Sequence, residues 1–216
     1  MLQIKSFEFN PFQENTYVLY DDTKECIIVD PGCFDKREEE VLKSFITNNQ
    51  LTVKKLINTH CHIDHVLGNA FVKHQFKVKL SIHPIEETLL RAVKTYAPNY
   101  GFHNYQDSTP DAFIDENNRI EFGNQSLEIL FVPGHSPGHI ALYDSQTKTL
   151  IGGDVLFQNS IGRTDLPGGD FDTLIASIHQ KFFTLPEDVT VYCGHGPTTT
   201  IGFEKRTNPF CALTEQ

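Results

Sequence analysis

Residues 59–65 read Thr59-His60-Cys61-His62-Ile63-Asp64-His65, and these four ligand-type side chains in H-x-H-x-D-H order decide how the rest of the chain is read. They follow the segment VKKLINTH (53–60), whose β-branched and apolar residues predict a strand running into the cluster. In an extended backbone alternate side chains share a face, so His60, His62 and Asp64 would converge while Cys61 and Ile63 point away. The spacing puts His65 at the start of a helix from about Val66 to His74, where it would turn back toward the same point. Three imidazoles and a carboxylate this close together are costly to hold unless a cation organises them, and a divalent metal does so. A lone histidine at a strand end reads as a solvated or hydrogen-bonded residue. Four ligand types in this order do not.

The pattern recurs downstream. Gly134-His135-Ser136-Pro137-Gly138-His139 follows a predicted strand at 126–132, Gly152-Gly153-Asp154 follows one at 148–151, and Gly194-His195-Gly196 follows one at 189–192. Glycines flank each, letting the backbone turn tightly. Taken singly, each is a turn with an incidental polar residue. Taken together, histidine or aspartate at the ends of four strands is how a site is assembled from loops on a rigid scaffold.

Around these segments, 3–9, 15–21 and 25–29 read as short antiparallel strands, and 35–48 as a helix presenting Val41, Leu42, Phe45 and Ile46. A strand at 78–82 and a helix opened by Pro84 follow. Residues 96–118 read as a long surface loop, from which His103 and Tyr105 could reach a substrate. Strands at 119–122 and 139–144 and helices at 171–184 and 198–206 complete the second half. Each half carries strands followed by helices, which predicts two mixed βα units packed sheet against sheet with helices outside.

Composition narrows the function. Eighteen Lys and Arg against twenty-eight Asp and Glu give a net charge of −10, which disfavours a nucleic-acid partner because such affinity is built from clustered basic residues. The longest apolar run is four residues, far short of a membrane span. The start MLQIKSFEFNPFQ lacks the charged and apolar regions of a secretory signal, so a cytoplasmic protein is expected. Five cysteines without C-x-x-C spacing read as reduced thiols, with Cys61 and Cys193 as packing residues. His74, His83 and His179 read as surface or capping residues.

The motifs T-H-C-H-I-D-H at 59–65, G-H-S-P-G-H at 134–139, G-G-D at 152–154 and G-H-G at 194–196 resemble the successive metal motifs of the metallo-β-lactamase superfamily. The early Val29-Asp30-Pro31-Gly32 resembles its first motif, so the likeness runs in order along nearly the whole chain. It implies an α/β fold, the αββα four-layer sandwich, as a single domain over 1–216. It implies two divalent metals per chain, with His60, His62 and His135 on one, Asp64, His65 and His195 on the other, and Asp154 bridging. Zinc is the expected ion, with iron or manganese also suited. The resemblance further implies a metal-bridging water as nucleophile, with Asp64 able to take its proton and Asp30 and His139 orienting ligands from behind.

Within the superfamily, 153–169 and 194–202 leading to Asn208-Pro209-Phe210 are similar to short bacterial glyoxalase II-like hydrolases. That likeness implies hydrolysis of a small-molecule thioester, S-lactoylglutathione first, with other acyl-thiol conjugates, esters or lactones behind it. Two departures bear on substrate. Full-length glyoxalase II adds a C-terminal helical region that grips glutathione, whereas this chain stops at Gln216. Arg163 lies where the family places a basic substrate contact, but the nearby tyrosine is here Asp165.

Mono-iron persulfide dioxygenases share T-H-C-H-x-D-H and would use His60, His135 and Asp154, but the 161–169 loop and the G-H-G ending favour the hydrolase. Flavodiiron reductases have a carboxylate where His62 stands. A non-catalytic metal-stabilised scaffold predicts a closed coordination sphere, whereas seven ligands for two metals leave room for water. The oligomeric state stays open.

Overall fold

Why the first parallel pairing arises can be read from the chain at Asp35. Its side chain accepts the Glu38 N–H at 2.8 Å and caps α1 (Lys36–Asn48), the crossover that lets two neighbouring strands run parallel. Those strands are β3 (Glu25–Val29) and β4 (Thr52–Ile57), and they belong to a six-stranded sheet, β1-β2-β3-β4-β5-β6. β1 (Gln3–Phe9), β2 (Glu14–Tyr20) and β3 pair antiparallel as expected, and β5 (Leu80–Ile82) and β6 (Ala112–Phe113) extend the sheet in parallel. The helices of this part are α1, α2 (Ile63–Val66), α3 (Asn69–Phe76) and α4 (Glu87–Tyr96). The computed structural model describes residues 1–213, so the last three positions of the expected domain lie outside the described residues.

The chain divides into two compact units. The first comprises Met1–Ile114 with Glu121–Ser126, and the second Asp115–Ile120 with Leu127 onward. In the first unit, Val18, Ile28, Leu42, Leu56, Val66, Leu80 and Leu90 are all fully buried in one apolar cluster. Three expectations are corrected here. Val41 faces solvent at 46% exposure, because the buried stripe of α1 runs through Leu42 and Ile46. The helix expected from Val66 to His74 is two helices, α2 and α3, broken at Leu67-Gly68. The segment 96–118 is not all loop, since it holds a 3-10 turn at Ala97–Tyr100 and the short strand β6.

The second sheet has the order β14-β13-β10-β9-β8-β7. It is built from β7 (Arg119–Phe122), β8 (Gln125–Phe131), β9 (Ile140–Asp144), β10 (Thr149–Gly153), β13 (Thr190–Cys193) and β14 (Thr199–Thr200), with a separate hairpin of β11 (Leu156–Phe157) and β12 (Ser160–Ile161). β9 and β10 pair antiparallel, and β10 and β13 run parallel, connected through α5 (Phe171–Ser177) and a π-helical turn at Ile178–Phe182. α6 (Ile201–Thr207) follows β14, capped by the Thr200 hydroxyl accepting from the Phe203 N–H. Val132, Leu150, Leu174, Phe182 and Val191 form the core of this unit.

A buried carboxylate fastens the hairpin. Glu204 on α6 has no exposed surface, and it accepts from the Asn159 N–H at 3.0 Å, the Asn208 amide at 2.7 Å and the Thr199 hydroxyl at 2.5 Å. Such a group is tolerated inside because its oxygens are satisfied. The tie matters because the hairpin directly follows Asp154.

Among the described residues, no helix is long and apolar enough to cross a membrane. All five cysteines are buried and outside any disulfide. Burial pushes the Cys193 thiol up to about 12 and the Cys61 thiol well above its ordinary range, so both serve as apolar packing.

Candidate metal centre

The strand leading to the first cluster stops at Ile57, not at His60. From there the chain loops, and Asp64 and His65 lie inside α2, with His62 at its N-cap. The expected alternation along an extended strand is therefore replaced by a loop followed by a helical turn. The helix nonetheless brings the rings together: His60 lies 4.1 Å from His65 and 4.9 Å from His62 between ring centroids. His60 and His65 are fully buried, and His62 and Asp64 are half-buried.

Asp30 holds this arrangement from behind. Its carboxylate accepts from the Thr59 N–H at 2.7 Å and the Thr59 hydroxyl at 2.5 Å, and lies 3.2 Å from His65 Nδ1. A carboxylate can only accept from that nitrogen, so the proton sits on Nδ1 and Nε2 is the donor left for a metal. Asp64 Oδ2 stands 3.7 Å from that Nε2. Asp30 reaches this position from a left-handed backbone, φ 49°, a conformation aspartate tolerates better than most residues. Replacing Asp30 with asparagine is expected to weaken metal affinity about 10–100-fold, checked by competition with a chromophoric chelator.

In the second unit the residues come from three strand ends. His135 follows β8, Asp154 follows β10 and His195 follows β13. His135 Nδ1 donates to the Arg163 carbonyl at 2.7 Å, which again leaves Nε2 as the ligand atom. Both His135 Nε2 and His195 Nε2 lie 3.5 Å from the same oxygen, Asp154 Oδ2. That exceeds the usual N–H···O length. It matches the edge of a tetrahedron around an ion with bonds near 2.0–2.2 Å, about 3.3–3.6 Å. The donor set of imidazoles and carboxylates fits divalent metal ions on its own chemistry. His139 is buried, and its Nε2 accepts the Asp154 N–H at 3.1 Å, positioning the backbone of that aspartate.

Two glycines beside these residues leave no room for a side chain. A Cβ on Gly162 would stand 2.0 Å from the Asp154 carbonyl oxygen and 3.0 Å from His135 Nδ1. Gly134, before His135, has φ 133° and passes 2.3 Å from the Leu174 backbone by the same measure.

Several residues of the first unit carry no sequence signal for their part. Glu86, buried, accepts the Cys61 N–H at 2.7 Å. The Asn10 amide donates to the carbonyls of Gly32 and Asp64, each at 3.0 Å. Glu14 has no exposed surface, stands 3.9 Å from His65 Nδ1, and burial raises its carboxyl well above the usual range. Only the burial of polar side chains, invisible in a sequence, marks these residues. Among the remaining histidines, His83 caps the turn at Pro84 and His179 donates to the Cys211 carbonyl at 2.7 Å. His103 and Tyr105 line a cavity of about 410 Å³ with Phe34, Leu67 and Phe102, whose walls include none of the ligand-type residues above.

A family model, the metallo-beta-lactamase superfamily, matches residues 9–195. The chain belongs to the metallo-β-lactamase superfamily. Its mixed α/β fold is the superfamily's. The chain is 38% identical over 211 residues to the hydroxyacylglutathione hydrolase GloC of Haemophilus influenzae, covering 97% of this chain and 98% of that protein. It is similar to the crystal structure of the B3 metallo-beta-lactamase BLEG-1, with TM-score 0.86 and 38% identity over 96% of this chain and 99% of that one. It is also similar to TTHA1623 in a di-iron-bound form, with TM-score 0.85 and 34% identity over 95% and 99% of the two chains. The protein is thus a superfamily metallo-hydrolase carrying histidine and aspartate groups suited to divalent metals.

Proposed function

We propose that the two units act as one catalytic domain and that their ligands together hold a dinuclear centre for thioester hydrolysis of the hydroxyacylglutathione hydrolase type. The observation that carries the reading is the convergence of two imidazole nitrogens on one oxygen of Asp154 at 3.5 Å each. A carboxylate so placed suits a bridging ligand. His60, His62 and His135 would hold one ion and Asp64, His65 and His195 the other, with Asp154 shared. When bound, such a pair supplies Lewis acidity toward a carbonyl and lowers the pKa of a shared water.

The remaining tasks fall to the protein. Asp30 and His139 keep His65 and Asp154 in register. Asp64, partly open to solvent, is the carboxylate suited to hold the proton that water gives up. The thiolate is a good leaving group, so no strong general acid is needed. The 38% identity to a protein named as a hydroxyacylglutathione hydrolase supports the thioester reading. Zinc and iron both suit the donor set, and the di-iron form of a 34% identical structure favours testing both.

The test uses purified protein loaded separately with zinc and with iron, S-lactoylglutathione as substrate, and release of free thiol as the readout. We expect turnover with about two ions per chain by elemental analysis. Oxygen uptake with glutathione persulfide at one iron per chain, and no thiol release, would overturn the reading. Opening of a β-lactam but not of a thioester would instead assign the activity of the 38% identical B3 enzyme.

A further inference from the structure

α2 carries two of the ligand-type residues and is too short to hold itself in place. It spans only Ile63–Val66, and His62 at its N-cap supplies no side-chain hydrogen bond. In a regular helix the Gly68 N–H would bond the Asp64 carbonyl one turn back, but here it donates to the Pro31 carbonyl at 2.7 Å. The last carbonyls of so short a helix are left to outside donors. Two asparagines supply them. The Asn10 amide donates to the Asp64 carbonyl at 3.0 Å, and the Asn58 amide to the His65 carbonyl, also at 3.0 Å.

Asn10 is itself fixed at both ends. Its amide also donates to the Gly32 carbonyl at 3.0 Å, while its Oδ1 accepts the Phe12 N–H at 2.9 Å, which determines which end of the amide faces α2. The Asn10 N–H donates to Glu38 on α1 at 3.0 Å, and Glu38 accepts the Phe34 N–H at 3.1 Å as well. The backbone at Asn10 has φ 52°, a left-handed conformation that asparagine tolerates. The space around it is full: a Cβ on Gly32 would stand 2.6 Å from Asn10 Nδ2 and 2.7 Å from the Asp64 carbonyl oxygen. Gly32 belongs to the same turn as Asp30, whose carboxylate accepts from His65 Nδ1 at 3.2 Å. One amide therefore ties the turn that carries Asp30 to the helix that carries Asp64 and His65.

We infer that Asn10 is a positioning residue for the Asp64–His65 half of the metal centre: its amide sets the place of α2 against Asp30, and the affinity of the ion on Asp64, His65 and His195 depends on it, whereas that of the ion on His60, His62 and His135 does not. The inference rests on the proposed dinuclear reading and deepens it. The asymmetry follows from the chain. His60 precedes α2 and His62 only caps it, and the Cys61 N–H between them is held separately by Glu86 at 2.7 Å.

Zinc titration of the metal-free protein against a chromophoric chelator reads both dissociation constants without turnover. Asn10→Gly keeps the left-handed backbone and deletes the amide. One Kd is expected to rise about 10-fold, the lower end for a residue that orients a ligand, and the other to stay within about twofold. The His195→Ala and His135→Ala backgrounds assign the affected ion. Asn10→Gly is expected to add nothing to the Kd left in His195→Ala and to raise the Kd left in His135→Ala about 10-fold. Equal losses at both ions would show a general loosening of the fold and overturn the inference, as would two unchanged constants. Should Asn10→Gly not fold, Asn10→Asp keeps the shape, the acceptor and the tolerated φ but loses the donor. The same split is expected of it, and tighter zinc binding overturns the inference, because added negative charge alone would do that. A wild-type protein that binds a single zinc overturns the dinuclear reading, and Asn10 is then judged on that one constant: a rise of about 10-fold sustains its role and no change overturns it. Neither constant depends on thioester cleavage, so a failed hydrolysis assay sinks the proposed function and not this inference.

Discussion

Replacing Asp154 with alanine is expected to reduce thioester turnover by well over about 100-fold and to lower the metal content of the purified protein. Residues that only orient ligands typically cost about 10–100-fold when removed. Asp154 does more, because His135 Nε2 and His195 Nε2 both face its Oδ2 at 3.5 Å, and loss of that oxygen removes the one anionic donor common to them. Its backbone N–H, held by His139, would be retained in the variant, so the fold of β10 should survive. Circular dichroism like wild type, with reduced metal by elemental analysis and lost kcat/KM, is the expected combination. Full activity with depleted metal would show that catalysis does not run through these ligands.

Gly162→Ala is the second large effect, and it comes from a residue with no chemistry of its own. The added methyl would sit 2.0 Å from the Asp154 carbonyl oxygen, a distance that cannot be relieved by rotating a side chain. The backbone of the 162–165 segment must move away, taking with it the Arg163 carbonyl that orients His135 at 2.7 Å. A ligand that loses its orienting partner costs about 10–100-fold, and the displaced backbone adds to this. We expect kcat/KM to fall by about 100-fold, with the melting temperature also lowered. Alanine with wild-type activity would mean that the loop can shift without disturbing His135.

The legibility of the site followed its chemistry. His60, His62, Asp64, His65, His135, Asp154 and His195 announce themselves because ligand types at strand ends, flanked by glycine, have few other uses. At the first cluster the structure departs from the sequence expectation. Alternation along a strand was expected, whereas β4 ends at Ile57 and α2 turns Asp64 and His65 toward His60. Periodicity could not separate the two, because a four-residue helix is too short to leave a 3.6-residue pattern. The same limit explains β6, β11, β12 and β14, two-residue strands defined only by their partners. Val41 was placed with the buried face of α1 because apolar residues four and five along from it are also buried or half-buried, yet only the packing of a particular neighbour decides the edge of such a stripe.

Arg163 shows the division most clearly. The family resemblance makes it a candidate substrate contact and implies a tyrosine where Asp165 stands. That the aspartate closes a two-point fork on the arginine needed coordinates. What the amino-acid sequence by itself determined was the cluster of ligand-type residues and the family order of motifs, because ligand chemistry is a property of residue type and local spacing. What only the tertiary structure decided was which further buried carboxylates and amides brace the segments around those residues, Glu86, Glu204 and Asn10 among them, and which carboxylate the Arg163 guanidinium pairs with. Hydrogen bonds between residues tens of positions apart in the chain depend on how strands and loops are brought together, and no local pattern records that.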